Sequence, residues 1–295
     1  MGEINMPRFT LAVSAFSPLQ PDKLTCHSRF SQAINLQNTK GELLTLHRYG
    51  HGFSPMGWLL RTEDFDQLYQ QLKVGDPLTM QRNRLCTPYG FTIFPQRYIK
   101  LRLPILSPVV WHNLSTLLLS KTHSTGLLGN LNKAVSTSSP LIADIHQQLT
   151  NWFQGQSPHC PSIIGLGPGL TPSGDDMLIG AMAILHCIPE SANYLPQRPL
   201  IDGSIKALSL LTTEVSACYL HHATLGHYSS SLTHLLHCLA RSSPMTKHAV
   251  DKVLQHGHTS GADTLLGMHI ALCWLRLNFQ KDLCYARSGN ITNVY

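Results

Sequence analysis

The chain has 295 residues, enough for one large domain or two medium ones, and is 43% hydrophobic and only 13% charged, against roughly 25% charged in an average soluble protein. That composition excludes a disordered chain, and a surface so poor in charge is expected to be covered, by a second copy or by a partner subunit. The net charge of +6 is spread thinly: Arg82, Arg84, Arg97, Lys100 and Arg102 are the nearest thing to a basic cluster, too sparse for a nucleic-acid or membrane surface but compatible with a small anionic substrate.

The first ~105 residues read as short strands separated by Gly, Pro and Asn. Candidates are 9–16, 32–36, 42–47, 78–81, 91–94 and 98–103. One helix interrupts them, with Thr62 as its cap, Phe65, Leu68 and Leu72 on one stripe, and Gly75 after it. Short strands around one helix predict a small barrel or a curled antiparallel sheet. The eight cysteines form no CxxC pair, the first residues lack the apolar core of a signal peptide, and no apolar run approaches the ~18–20 residues of a membrane span. Reduced thiols in a cytoplasmic protein are expected.

After Pro108 the hydrophobic period becomes helical. Ser139-Pro140 is a cap followed by a first-turn proline, with Leu141, Ile145, Leu149 and Trp152 on one stripe and Gly155 as the stop. Further helices are expected near 112–120, 204–225, 229–241 and 244–255, and the two most apolar cover 176–187 and 263–277. The segment 121–139, rich in Ser, Thr and Gly, reads as a loose connection. The expected fold class is α+β, with a β-rich domain over 1–108 and an all-helical domain over 109–295.

Two loops stand out. The first, residues 165–180, places Gly165, Gly167, Gly169, Thr171, Ser173 and Gly174 before an apolar helix that opens on Asp175 and Asp176. Glycines allow close backbone approach to a ligand, and a helix N-terminus presents free N–H groups to an anion. The second loop, 257–267, repeats the pattern Ser-Gly-x-Asp-x-Leu-x-Gly at identical spacing: Ser173, Gly174, Asp176, Leu178 and Gly180 answer to Ser260, Gly261, Asp263, Leu265 and Gly267. A Gly-rich turn that only caps a helix, with its Asp serving the dipole, is the plain alternative for either loop alone. The repetition counts against it. The glycine four residues after each Asp points to close helix packing, so the two loops are expected to meet. Thr171, Ser173, Thr259, Ser260 and Gly261 would then hold a phosphate or carboxylate. Asp175, Asp176 and Asp263 are candidates for catalysis, and Asp176 with Asp263 for a divalent ion such as Mg2+. His258, inside the second loop, is a candidate ligand or acid–base group.

Thr213 and Ser216 could wall the same pocket from the 204–225 helix, unless their hydroxyls only bond back to the helix. The His-rich stretch 221–237 lacks a specific metal spacing. There is no Gly-x-Ser-x-Gly elbow and no Walker lysine, so acyl-serine chemistry and a nucleotide kinase are both disfavoured.

The stretches Gly165-Leu-Gly-Pro-Gly-Leu-Thr-Pro-Ser-Gly-Asp-Asp176, Thr212-Thr-Glu-Val-Ser-Ala217 and Gly257-His-Thr-Ser-Gly-Ala-Asp263 resemble a bacterial family described as carboxylases, which includes the AllH subunit of oxamate carbamoyltransferase. The resemblance covers mainly 160–275 and, more faintly, 26–36. It implies carbamoyl transfer between carbamoyl phosphate and an oxamate-type acceptor, in a multi-subunit enzyme of anaerobic purine-nitrogen metabolism. The leading expectation is an enzyme or enzyme subunit that binds a small anion between the two loops. The rival is a non-catalytic metabolite-binding or scaffolding subunit whose partner does the chemistry.

Overall fold

The computed structural model describes residues 7–107, 111–193 and 195–288. Pro108, where the sequence period changes, and the side chain of Cys284 lie outside the described residues. The fold is α+β, with a curled ten-stranded sheet in the N-terminal part and helices in the C-terminal part.

The strands are β1 (Arg8–Phe9), β2 (Ala12–Ser14), β3 (Asp22–Phe30), β4 (Ala33–Asn38), β5 (Leu43–Arg48), β6 (Gly57–Leu60), β7 (Pro77–Gln81), β8 (Arg84–Cys86), β9 (Thr92–Phe94) and β10 (Tyr98–Ile99). They pair in the order β1-β9-β8-β7-β3-β4-β5-β6-β2-β10. Only Thr10 and Leu11 separate β1 from β2, although these strands stand near opposite ends of that order. The sheet must therefore curl until its ends meet, and Thr10 N–H on the Phe94 carbonyl (3.1 Å) and Leu11 N–H on the Leu59 carbonyl (2.7 Å) stitch them together. Inside lie Leu24, Ile34, Leu36, Leu46 and Trp58, closed over by Phe65 and Leu68 of α1 (Thr62–Gln71).

Three strands carry no clear period in the sequence. In β3, the longest, Leu24 and Cys26 face the core, but a bulge between Cys26 and Ser28 breaks the alternation. In β6 the run Gly-Trp-Leu-Leu is buried on both faces except at Leu59, which erases the period of two. The third is the three-residue β8. Thr62 is the first helical residue of α1 and not its cap; Arg61 holds the cap position without a side-chain bond, and Glu63 and Asp64 in the first turn serve the dipole instead.

The remaining helices are α2 (Trp111–Leu118), α3 (Leu131–Ala134), α4 (Pro140–Phe153), α5 (Ser173–Cys187), α6 (Pro189–Ala192), α7 (Ile205–Leu208), α8 (Glu214–Thr224), α9 (Ser230–Ala240), α10 (Thr246–Leu254) and α11 (Ser260–Ser288). The Ser139 hydroxyl accepts from Ile142 N–H at 3.2 Å and caps α4, whose chain leaves through Gly155 at φ +78°. The helix expected over 204–225 is two helices, broken at 209–213, where the Thr212 and Thr213 hydroxyls are engaged elsewhere in the chain. The segment 121–139 is not a loose connection, since it carries α3 and a bridge between Ser124 and Asn130.

Packing divides the chain into two compact units: Met1–Leu103, Gly203–Leu210 and Glu214–Leu235 in the first, and Pro104–Asp202, Leu211–Thr213 and Leu236–Tyr295 in the second. In the first unit α8 lies on the sheet, with Val215 and Cys218 against Leu43 and Met56, and His27, the bulge residue of β3, reaches Glu214 at 2.8 Å. In the second unit α5 is buried on all sides; only His186 of its fifteen residues escapes full burial, so it has no polar face to give it an amphipathic period. Cys26, Cys86, Cys160, Cys187, Cys218, Cys238 and Cys273 are free thiols. Among the described residues no helix is long and apolar enough to cross a membrane.

Candidate functional site: two crossed loops at the starts of α5 and α11

The second unit is built on the contact between α5 and α11. A Cβ on Gly180 would lie 2.0 Å from the carbonyl oxygen of Thr264, and a Cβ on Gly267 would lie 2.0 Å from the carbonyl oxygen of Met177. Gly180 answers to Gly267, and Met177 to Thr264, at the same spacing of 87 residues. The contact is thus made twice, reciprocally, as across a local twofold axis. No other residue fits where two backbones touch.

The same reciprocity governs the polar residues at the helix starts. Ser173 is the first residue of α5, with Pro172 at the cap position and no side-chain cap bond. Its hydroxyl therefore does not cap its own helix; it serves Asp263 of α11, while the hydroxyl of Ser260, at the start of α11, serves Asp176 of α5. Each repeat lends its serine to the other repeat's aspartate. Thr171 adds a second hydroxyl at Asp176, and Thr259 adds one at Asp263.

Three carboxyls are buried here, with Asp175 and Asp263 at 0% and Asp176 at 4% exposure. Asp175 is bound within its own surroundings: Oδ1 accepts from Gly165 N–H at 2.7 Å and Oδ2 from the Thr212 hydroxyl. It pins the glycine loop to α5. Asp263 accepts from the backbone N–H of Gly126 with both oxygens, at 3.2 and 3.1 Å. Burial pushes its carboxyl up to about 6, against the lowering effect of Gly126 N–H and the Ser173 and Thr259 hydroxyls. Asp176 is pushed well above the ordinary carboxylate range, first by burial and then by the Asp263 and Asp175 charges, with Ser260 and Thr171 opposing. Its Oδ2 is buried and has no hydrogen-bond partner. A buried acceptor left unmet costs on the order of 1–3 kcal/mol, so this oxygen marks where a proton or a ligand belongs.

Asp176 and Asp263 are brought together with Thr171, Ser173, Thr259 and Ser260. Gly167 at φ +122° turns the loop against Ser173, whose N atom would lie 2.7 Å from a Cβ there. Gly169 at φ +90° faces open space. Gly174 packs on the Ile163 carbonyl and Gly261 on the Val253 carbonyl, both too close for a Cβ. The Thr213 hydroxyl donates to the Leu170 carbonyl and ties down the loop rather than pointing a hydroxyl from a helix. His258 is exposed in the turn before α11, and Ser216 is buried on α8 in the first unit. Among the described residues no three or more His, Cys, Asp or Glu side chains are grouped to hold a metal.

Gly126 was not legible as a site residue. Its turn is held by Thr125, whose hydroxyl donates to the Gly129 carbonyl at 2.8 Å and accepts from Leu128 N–H at 2.9 Å. A Cβ on Gly126 would meet the Ser173 hydroxyl at 2.1 Å and Asp263 at 3.3 Å. One weak signal was available, the pattern Ser-Thr-Gly ahead of Gly129, which predicts a turn and nothing more.

Residues 163–272, which contain both loops, match the family described as oxamate carbamoyltransferase subunit AllH. Residues 10–98, which cover nearly all of the sheet, match the AllH family N-terminal domain. No solved structure matches.

Proposed function

The chain belongs to the AllH family, its two matches together spanning more than half of the sequence, and from that premise we propose that it serves in carbamoyl transfer as one subunit of a larger enzyme, holding a small phosphorylated or carboxylated anion between the two loops. One observation carries the reading: Ser173 and Ser260 are exchanged across the α5–α11 contact and gather Asp176 and Asp263 into one buried cluster. A cluster built so symmetrically, with one oxygen unmet, is poor design for mere stability. It is sound design for a ligand that completes it.

The backbone of Gly167, Gly169 and Ser173 would face the anion in place of lysines, as helix N-termini do for phosphates, while the N–H groups of Gly165, Gly174, Asp175 and Asp176 are bonded within the loop. An anion beside two carboxyls needs at least one of them neutral, and burial favours that state in both. Donors fixed in advance around such a group are the usual means of stabilising charge in acyl and phosphoryl transfer. Mg2+ would find oxygen ligands here, two carboxyls and their hydroxyls, but would need further oxygens from the substrate. The low charge of the chain fits a surface covered by partner subunits.

A thermal-shift screen over carbamoyl phosphate, phosphate, oxamate and Mg2+ tests the reading. A ligand at 100 times its Kd stabilises by about 2.7 kcal/mol, and carbamoyl phosphate or oxamate is expected to do so. No shift from any anion, alone or with Mg2+, removes the anion site. Turnover of carbamoyl phosphate by the purified chain alone separates a catalytic subunit from one that binds while a partner reacts.

A further inference from the structure

In the first unit a line of polar side chains runs from the sheet to the first residue of α8. Thr45 of β5 donates its hydroxyl to Asn35 Oδ1 of β4 at 2.9 Å, and Asn35 Nδ2 donates to Ser28 Oγ of β3 at 2.9 Å. His27 Nδ1 lies 3.1 Å from Ser28 Oγ, and His27 Nε2 lies 2.8 Å from Glu214 Oε2. Gln37 Nε2 donates to the same Glu214 oxygen at 3.1 Å. Neighbours in a regular strand point to opposite faces. The bulge between Cys26 and Ser28 removes that alternation and lets His27 reach the hydroxyl of the next residue. The ends of the line then fix its protons. The Glu214 carboxylate accepts, so a neutral His27 carries its hydrogen on Nε2 and offers Nδ1 as an acceptor. Asn35, its own oxygen held by Thr45, already supplies a donor to Ser28 Oγ, so the Ser28 O–H points at Nδ1. Asn35 and Thr45 are buried, at 6% and 2% exposure. Ser28 is half-buried, and the side chains of His27 and Glu214 are 24% and 53% exposed. The line is thus anchored inside the unit and open to solvent at its reactive end.

We propose that Ser28 is an acyl-accepting nucleophile, with His27 as its base and Glu214 as the positioning residue, acting on a small activated acyl donor, an ester or an acyl phosphate. The arrangement has the order of a catalytic triad: nucleophile, base and orienting carboxylate, each within hydrogen-bond reach of the next. Ser28 Oγ attacks the carbonyl carbon, and the Oγ–C bond forms as the Oγ proton passes to His27 Nδ1. The bond from that carbon to the leaving oxygen then breaks, and the oxygen keeps the electron pair and takes the proton from His27. Water or another nucleophile releases the acyl group from Ser28 by the same route. Asn35 Nδ2 has a second hydrogen besides the one on Oγ, a donor close to the attacked carbon for the charge that develops on its oxygen. The lack of a Gly-x-Ser-x-Gly elbow, which disfavours acyl-serine chemistry in the sequence, does not bear on this site. An elbow presents its serine on a strained turn, whereas here a bulge does so, and the carboxylate stands 187 positions away. The site is built from the first unit alone and does not depend on the anion reading.

The test is to incubate the purified chain with p-nitrophenyl acetate and, separately, with acetyl phosphate, and to locate the acetyl group by peptide mass spectrometry. Wild type, Ser28→Ala, His27→Asn and Glu214→Gln are compared, with circular dichroism to check that each is folded. Wild type is expected to carry acetyl on Ser28, not on Ser31 or Cys26, with a burst of about one p-nitrophenolate per chain. Acetyl phosphate should give the same adduct if acyl phosphates are taken, and the ester alone should give it if they are not. Ser28→Ala should lose the burst, and His27→Asn should slow acylation of Ser28 on the order of a hundredfold. Glu214→Gln keeps the length of the side chain but can donate to His27, so acylation should slow about tenfold or more. Nitrogen NMR of the His27 ring should show the Nε2–H form in wild type and its loss in Glu214→Gln, which a merely structural glutamate would not produce. No acetyl on Ser28 of the folded wild type with either donor overturns the proposal. So does acylation of Ser28 that is no faster than that of Ser31 or is unchanged in His27→Asn. Acylation and tautomer both unchanged in Glu214→Gln overturn the relay as drawn.

Discussion

The two loops share a motif residue for residue, yet their aspartates have different surroundings. Asp263 is held by the backbone of Gly126 and by two hydroxyls, whereas Asp176 has two hydroxyls and one oxygen with no partner. Among the three positions of the repeat that differ, Asp175 of the first loop stands opposite Ala262 of the second. Asp175 anchors a glycine-rich loop that the second repeat lacks. A local twofold can thus set a common frame, while the segments that decorate it decide which carboxyl is fully hydrogen-bonded and which keeps an oxygen without a partner.

The symmetric part of this comparison is the most costly to disturb. Gly180→Ala and Gly267→Ala each drive a methyl into a backbone carbonyl at 2.0 Å, where nothing can swing aside. Each is expected to lose on the order of 3–5 kcal/mol in urea unfolding, more than ordinary overpacking. Because the contact is reciprocal, the two losses should agree within about 1 kcal/mol. A loss at one glycine and tolerance at the other would break the twofold description.

Next in size is the pH dependence of Asp263. Its carboxyl is raised to about 6 from 3.8 in the folded chain, so the folded state holds the proton more tightly. This contribution is fully present below the ordinary value and is lost as the pH rises through about 6. The shift corresponds to about 3 kcal/mol. Relative to Asp263→Asn, the ligand-free wild type should therefore gain stability between pH 7.5 and 4.5. A difference that stays flat across that window would show that Gly126 and the hydroxyls fully offset burial.

The asymmetric residues should cost less. Asp175→Ala leaves Gly165 N–H and the Thr212 hydroxyl without their acceptor, an expected loss of about 2 kcal/mol by chemical denaturation, where a loss under ~0.5 kcal/mol would mean that the glycine loop holds itself. Gly126→Ala meets the Ser173 hydroxyl, the movable end of a side chain. It should cost only about 1 kcal/mol, measured the same way, while displacing Ser173 from Asp263 and weakening any anion that the loops bind. Unchanged anion affinity in a folded Gly126→Ala chain would confine that glycine to a structural part.

Much of this was legible along the chain because it depends on local chemistry. The Ser139-Pro140 start of α4, the glycine stop after it and the apolar runs of α5 and α11 are short-range signals, and the structure carries them through. The repeated loop motif was legible too, since identical spacing needs no tertiary knowledge. The strand β3 was not, because its bulge at His27 destroys the alternation that marks a strand. The break between α7 and α8 was equally hidden. Thr212 and Thr213 are weak helix formers, which by itself marks no boundary; in the structure they lie between the two helices, with their hydroxyls bonded to Asp175 and the Leu170 carbonyl.

The sequence by itself determined the fold class, the two loops and, through Gly180 and Gly267, that α5 and α11 could touch; each follows from patterns within a few turns of chain. Only the tertiary structure decided that Ser173 serves Asp263 and Ser260 serves Asp176, that Asp175 fastens Gly165 and Thr212, and that residues 203–210 and 214–235 pack with the sheet. Those outcomes rest on burial and on partners tens of residues away, and a carboxyl's proton affinity is set by what surrounds it in space, not by its neighbours in sequence.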